Sequence, residues 1–149
     1  MTMRKMVSAD IPDVAEAEKV IFTDPWSAEA IRGSFEMPGT DCRVIVADDE
    51  SDLAGYYFAL TVAGESELLN IGVLPRFRRC GYGRTMLRRA LENAAKLGSE
   101  GMWLEVRVSN TPARSLYESE GFAAVGIRKN YYPLPGGGRE DAVLMKKEF

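Results

Sequence analysis

The sequence predicts a mixed α/β fold, ordered βααβββαβαββ, in a single domain spanning residues 1–149. Three observations carry that reading. Short apolar runs of strand length alternate with stretches whose apolar residues recur at helical spacing. One such run, Leu68 to Leu74, leads through a glycine loop into a strong helix and out to a second, Met102 to Val108, which predicts a right-handed parallel crossover. Finally, 149 residues with 46% hydrophobic and 28% charged content suit one domain with one core, and no repeat or linker interrupts them.

The elements follow in order. Met3 to Val7 is a short strand. Ser8 or Asp10 caps a helix that runs to about Phe22, with Pro12 tolerated in its first turn and Ile11, Val14, Ala15, Glu18 and Ile21 on one largely apolar face. Asp24-Pro25 breaks that helix, Ser27 caps a second one through about Glu36, and Met37-Pro38-Gly39 ends it. Cys42 to Ala47 and Leu53 to Ala63 read as strands joined by the polar turn Asp48 to Asp52, and a third strand, Glu67 to Leu74, follows the turn at Gly64 to Ser66. The helix from Tyr82 to Leu97 carries Met86, Leu87, Ala90, Leu91, Ala94 and Leu97 at helical spacing and stops at Gly98. After the strand Met102 to Val108, Ser109 or Asn110 caps a short helix that Gly121 ends. Phe122 to Ile127 and Asp141 to Lys147 then pair as a hairpin across a long Pro/Gly loop.

Composition removes several function classes. No apolar run approaches the roughly 18 residues needed to span a bilayer, and the N-terminus has no apolar leader, so a cytoplasmic protein with no membrane partner is expected. Cys42 and Cys80 are too few for a disulfide framework and match no zinc spacing. There is no histidine, so a general base must be a carboxylate, a tyrosine or water, and no metal site is expected. The net charge of −3 conceals a compact basic stretch: six of the nineteen Lys and Arg residues lie between Arg76 and Arg89. An isoelectric point of about 5.1 argues against a nucleic-acid partner, which calls for a wide basic face. A small basic patch suits a polyphosphate ligand, and the acidic remainder suits a cationic peptide. Arg88 and Arg89 read as a solvated helix face.

The run Arg78-Arg79-Cys80-Gly81-Tyr82-Gly83-Arg84 sits where the strand hands over to the helix. Glycine lets a ligand approach the backbone, and the free N–H groups of a first helical turn, with the helix dipole, favour phosphate. It is not a P-loop: Gly83 is followed by Arg84 and Thr85 in place of Lys-Ser/Thr. Nor is it a dinucleotide fingerprint, because Met86 stands where a third glycine is needed. Downstream, Glu105 lies in the middle of an apolar strand, where an unpaired carboxylate is costly. Either it pairs with Arg107 on the same strand face, or an apolar cleft raises its pKa into the range useful to a base.

The spacing of Arg78, Gly81 and Gly83 resembles Arg/Gln-x-x-Gly-x-Gly/Ala, the coenzyme A pyrophosphate loop of the GNAT (Gcn5-related) N-acetyltransferases. Further stretches in the same order strengthen the likeness: Asp24-Pro25-Trp26-Ser27, Asn70-Ile71-Gly72-Val73, Trp103 to Arg107, Asn110, Leu116 to Phe122, and Arg128 to Pro133 followed by Glu140-Asp141-Ala142. Together they are similar to the RimI branch of that family, whose members acetylate protein N-termini. The resemblance implies a central mixed sheet of about seven strands with about four helices, parting as a splayed parallel pair at the acetyl-CoA site. It implies acetyl-CoA as co-substrate and, as acceptor, the N-terminal alanine of a small-subunit ribosomal protein or another peptide.

The resemblance also implies roles. Backbone amides from Arg79, Cys80, Gly81, Tyr82, Gly83 and Arg84, introduced by Arg78, hold the pyrophosphate. Ile71, Gly72 and Val73 offer main-chain groups to the acetyl and pantetheine arm, with a β-bulge that Gly72 permits; the two apolar side chains also suit a plain core strand. Glu105 is the general base, acting through water, and Tyr117 the general acid for the thiolate, though a tyrosine beside Leu116 also suits a core. Asn110 caps its helix and touches pantetheine. Trp26, Tyr131 and Tyr132, in predicted loops, wall the acceptor site or pack beneath their loops, and Asp141, with Glu140, receives the incoming amine. Another amine remains open as acceptor (protein lysine, polyamine or small molecule), as does a non-catalytic acetyl-CoA-binding regulator. An α-amine is about 10% neutral at pH 7 against about 0.04% for lysine, an advantage of about 3 kcal/mol for a single carboxylate base.

Overall fold

A computed structural model describes residues 1–149. The amphipathic stretches fold as α1 (Ile11–Ile21), α2 (Ala28–Glu36), α3 (Tyr82–Lys96) and α4 (Thr111–Ser119). The apolar runs form β1 (Thr2–Lys5), β2 (Thr40–Val46), β3 (Leu53–Val62), β4 (Glu65–Val73), β5 (Gly101–Arg107), β6 (Ala123–Pro133) and β7 (Arg139–Glu148). All seven strands join one sheet in the order β1-β2-β3-β4-β5-β7-β6, antiparallel except for the parallel pair β4 and β5. Fold class and element order agree with the sequence reading. No helix is long and apolar enough to cross a membrane.

The period-2 pattern of β3 shows how the core divides. Tyr56 and Phe58 point to one face and pack with Ile11, Val14 and Ala17 of α1 and Ile31 of α2. Tyr57 and Ala59 point to the other, with Met86, Leu87 and Ala90 of α3 and Tyr117 of α4. Met102, Leu104 and Val106 of β5 and Val143 and Met145 of β7 complete this second layer. The opposite face of β5, carrying Trp103, Glu105 and Arg107, is half-buried.

Local signals behave as the residues demand. The Ser27 hydroxyl accepts the Ala30 N–H at 3.1 Å and the Asn110 amide oxygen accepts that of Ala113 at 3.3 Å, so both cap their helices. Gly98, at φ +82°, terminates α3. Asp10 does not cap α1: a 3-10 turn, Ser8–Asp10, precedes the helix. The Asp10 carboxylate bonds Arg4 and the Val7 N–H, each at 2.8 Å, and Arg4 is the main cause that holds it below the usual carboxylate range.

Two irregularities set the site, and both differ from expectation. β4 and β5 are in register only at Ser66 with Met102 and Glu67 with Trp103, and beyond that they part. The bulge that bends β4 lies at Leu69, because Phe58 pairs with Asn70 and Ala59 with Leu68. It does not lie at Gly72, which stays paired with Tyr56; a Cβ there would come within 2.7 Å of the Tyr56 hydroxyl oxygen. Glycine at 72 makes room for a tyrosine. The second irregularity lengthens β6. Arg128 pairs with Ala142 and Tyr132 with Glu140, so residues 129 to 131 face Asp141 alone. Asn130 takes φ +51°, and its N–H is held by the Asp141 carboxylate at 2.9 Å. Tyr131 and Tyr132 therefore sit in a strand, and the expected long loop shrinks to residues 134–138.

Candidate active site

The glycine loop follows the open end of β4. Arg79 and Gly81 adopt φ +62° and +81°, the left-handed region that turns the chain back on itself before α3. None of the six backbone N–H groups from Arg79 to Arg84 donates a hydrogen bond within the chain; the first engaged amide is that of Thr85, on the Gly81 carbonyl at 3.0 Å. A Cβ at Gly83 would meet Leu116 at an ordinary 3.5 Å, so nothing in the chain itself requires glycine there. The nearby cations are partly engaged. Arg78 folds back onto the Val73 carbonyl at 3.2 Å. Arg84 and Arg88 converge on the Glu120 carboxylate at 2.5 and 2.9 Å, and Arg88 stays on the solvated face of α3 as expected. The donors that face outward are backbone amides at the positive end of a helix, an arrangement suited to a pyrophosphate. Asn110 stands at the head of α4, in the same layer as α3, with its side chain committed to the cap.

Glu105 lies on β5 where β4 has diverged. Its side chain is 12% exposed and pairs with Arg128 of β6 at 2.9 Å. Both sequence expectations are thereby corrected. Its partner is not Arg107, and the cleft is polar, because β6 brings a guanidinium across β7 to this face. Arg107 instead bonds Glu140 at 3.0 Å and the Pro133 carbonyl at 3.1 Å. Tyr117 is buried, its ring 5.9 Å from that of Phe122, and its hydroxyl has no partner in the chain. Burial, with a smaller contribution from Tyr132, pushes its phenol above the usual tyrosine value of 10.0. It is a core residue whose phenol stays protonated.

The extended end of β6 forms the wall beside Glu105. Tyr131 and Tyr132 meet edge to face at 4.9 Å, with Arg128 over the Tyr131 ring and Arg107 over that of Tyr132 at 5.4 and 4.6 Å. Tyr131 is 42% exposed, and the Glu105 carboxylate is the main cause that raises its phenol. Tyr132 is half-buried and pushed up to about 12, chiefly by burial and then by Glu105. The chain from Phe22 to Ser27, between α1 and α2, closes the wall: Thr23 Oγ1 is 3.5 Å from the Arg107 guanidinium. Trp26 in that segment packs on Phe58 at 5.4 Å, so its ring belongs largely to the core beneath. Glu140 and Asp141 are engaged by Arg107, Ser109 and the Asn130 amide.

Three residues of this region escaped the sequence reading. Arg128 lies on β6, separated from β5 by β7, and no local pattern marks it as the partner of Glu105. Glu67 stands across from Trp103, two positions along from Glu105, and its carboxyl is raised by burial first and then by Glu105. The alternation Glu65-Ser66-Glu67-Leu68, with Ser66 and Leu68 buried, was the available signal. Glu18, placed on an apolar helix face by its spacing, is 1% exposed and accepts three hydrogen bonds.

Comparison with known proteins agrees with this architecture. Residues 11–122 match the model of the acetyltransferase (GNAT) family. The ribosomal protein bS18-alanine N-acetyltransferase of Haemophilus influenzae is 37% identical over 138 residues, covering 93% of this chain and 92% of that one. Its Escherichia coli counterpart is 34% identical over 144 residues, 97% and 95% of the two chains. The crystal structure of the Escherichia coli enzyme superposes with a TM-score of 0.90 at 33% identity, over 99% of this chain and 92% of the other. The chain belongs to the GNAT acetyltransferase family.

Proposed function

We propose that this protein transfers the acetyl group of acetyl-CoA directly to the α-amino group of a protein N-terminus, the substrate being the N-terminal alanine of small-subunit ribosomal protein bS18. The observation that carries the chemistry is the parting of β4 and β5 beyond Glu67. It leaves Glu105 at the same open end as the six free amides of residues 79–84. Relatives named for the bS18 alanine support the acceptor. A ribosomal substrate would put the reaction in the cytoplasm.

The residues present fit a coenzyme A thioester, which supplies an activated acetyl group and leaves as a thiolate. Outward amides and the helix dipole hold its pyrophosphate, and Gly83 leaves the front of the helix clear for it. Main-chain groups of Ile71, Gly72 and Val73 align the arm along the edge that β5 abandons. Glu105 takes a proton from the incoming ammonium, directly or through one water, which makes the amine nucleophilic. Tyr117 gives its proton to the departing sulfur. Tyr131, Tyr132 and the Trp26 segment hold the first residues of the acceptor. Asp141 contributes by holding the bulge that presents Tyr131.

The test is a panel of peptides assayed with acetyl-CoA for thiol release and for the mass of the product. Ala-starting peptides should gain one acetyl group at the α-amine, and copies with blocked N-termini should not react. Modification of a lysine or a polyamine with the α-amine left free would overturn the assignment.

A further inference from the structure

Glu18 is the one fully buried carboxylate of the molecule, and the chemistry proposed above does not use it. One carboxylate oxygen accepts the backbone N–H of Trp26 at 2.9 Å. The other accepts the Tyr56 hydroxyl and the Asn70 side-chain amide, the latter at 3.1 Å. Burial of a carboxylate is tolerated only when its lone pairs are met in this way. Its three partners lie on different elements. Trp26 belongs to the segment that closes the acceptor wall through Thr23 and Arg107. Asn70 directly follows the Leu69 bulge that bends β4 away from β5. Tyr56 is the β3 residue whose hydroxyl occupies the space above Gly72.

We infer that Glu18 is a positioning residue that ties the acceptor wall to the acetyl-bearing strand, fixing where the incoming amine stands relative to the thioester. This rests on the acetyltransferase reading above. A side chain that bonded only its own helix or the core would do neither job. Glu18 sits on α1 and reaches both the strand edge and the loop, so displacement of one is transmitted to the other. The pyrophosphate loop, residues 78–84, makes no hydrogen bond to Glu18 or to its three partners, so coenzyme affinity should not follow Glu18. What matters is a hydrogen-bond partner for each of the three groups and not the charge. In Glu18→Gln the carbonyl oxygen keeps the Trp26 N–H, while the new amide donates to the Tyr56 oxygen and to a flipped Asn70.

The experiment compares Glu18→Met, which keeps the length of the side chain, with Glu18→Gln. Both are made in the Trp103→Phe background, where Trp26 is the only tryptophan left of two. Glu18→Met should raise KM for an Ala-starting peptide about tenfold and iodide quenching of Trp26 about twofold. The dissociation constant of acetyl-CoA should stay within twofold, and Glu18→Gln should recover most of the loss. Unchanged KM and quenching overturn the inference, as does acetyl-CoA affinity weakening in step with KM, which marks a general loosening. Should Glu18→Met fail to fold by circular dichroism, Asn70→Ala tests the strand arm. It should lower kcat about fivefold with peptide KM unchanged, and an unaltered kcat overturns the link. Absence of peptide acetylation by the unsubstituted protein would sink the functional reading, while the quenching comparison would still decide the role of Glu18.

Discussion

The two ends of the proposed active site are built from different materials. At the coenzyme end, the groups that face outward are backbone amides of one continuous segment, Arg79 to Arg84, arranged by two left-handed residues and a helix start. At the acceptor end, the groups are side chains from β5, β6, β7 and the α1–α2 connection, held together by ion pairs and cation–aromatic contacts. A segment of consecutive amides can bind an anion whatever its side chains are, given the right φ angles. A side-chain wall depends on partners far apart in sequence, so its shape can change while the fold persists. The coenzyme end therefore suits a constant ligand and the acceptor end a selected one.

The sharpest way to break this comparison is at Glu105. Glu105→Gln removes the base while keeping its shape, and should lower kcat by about 10²–10⁴-fold. Acetyl-CoA binding, measured by calorimetry, should stay within a few-fold if the ends are independent. Tyr117→Phe should follow, with kcat down by about 10²-fold from loss of the proton donor. The pH profile sharpens that prediction. Because burial raises the Tyr117 phenol above 10.0, the acid stays protonated and no falling limb due to it should appear below pH 10. A fall near pH 8 that vanishes in Tyr117→Phe would contradict the structure.

The coenzyme end answers to backbone conformation. Gly81→Ala forces a side chain into φ +81°, a strain of about 1–2 kcal/mol, and should raise the acetyl-CoA dissociation constant about tenfold with peptide KM nearly unchanged. Smallest is Arg128→Gln. It removes the cation beside Glu105 and over Tyr131 from a half-exposed position, and should alter peptide KM by about two- to fivefold without touching acetyl-CoA binding. If Gly81→Ala changes peptide KM, or Arg128→Gln changes coenzyme affinity, the division between the ends fails.

The same contrast explains what was legible. The glycine loop, the caps at Ser27 and Asn110 and the stop at Gly98 are local devices, and each lies where its residue type puts it. The division of Tyr56, Tyr57 and Phe58 between two core layers follows from strand periodicity alone. The errors are non-local. Arg107 is an available partner for Glu105 because two residues along a strand share a face, but a cross-sheet arginine from β6 occupies that position. The Leu69 bulge was placed at Gly72 because glycine permits bulges, whereas this glycine accommodates Tyr56. β6 runs past the apolar stretch Phe122 to Ile127 because Asp141 stabilises a bulge through which the strand continues.

By itself the sequence determined the fold class, the order of the elements and the place of the glycine loop at the head of α3. These rest on periodicity, backbone conformational preference and residue chemistry, which act over a few neighbouring residues. Only the tertiary structure decided where β4 leaves β5, which arginine meets Glu105, and which three elements bring hydrogen bonds to Glu18. Those facts depend on register and on charge pairing between segments dozens of residues apart. A carboxylate's surroundings are fixed by whatever the folded chain brings to it, not by its neighbours in sequence.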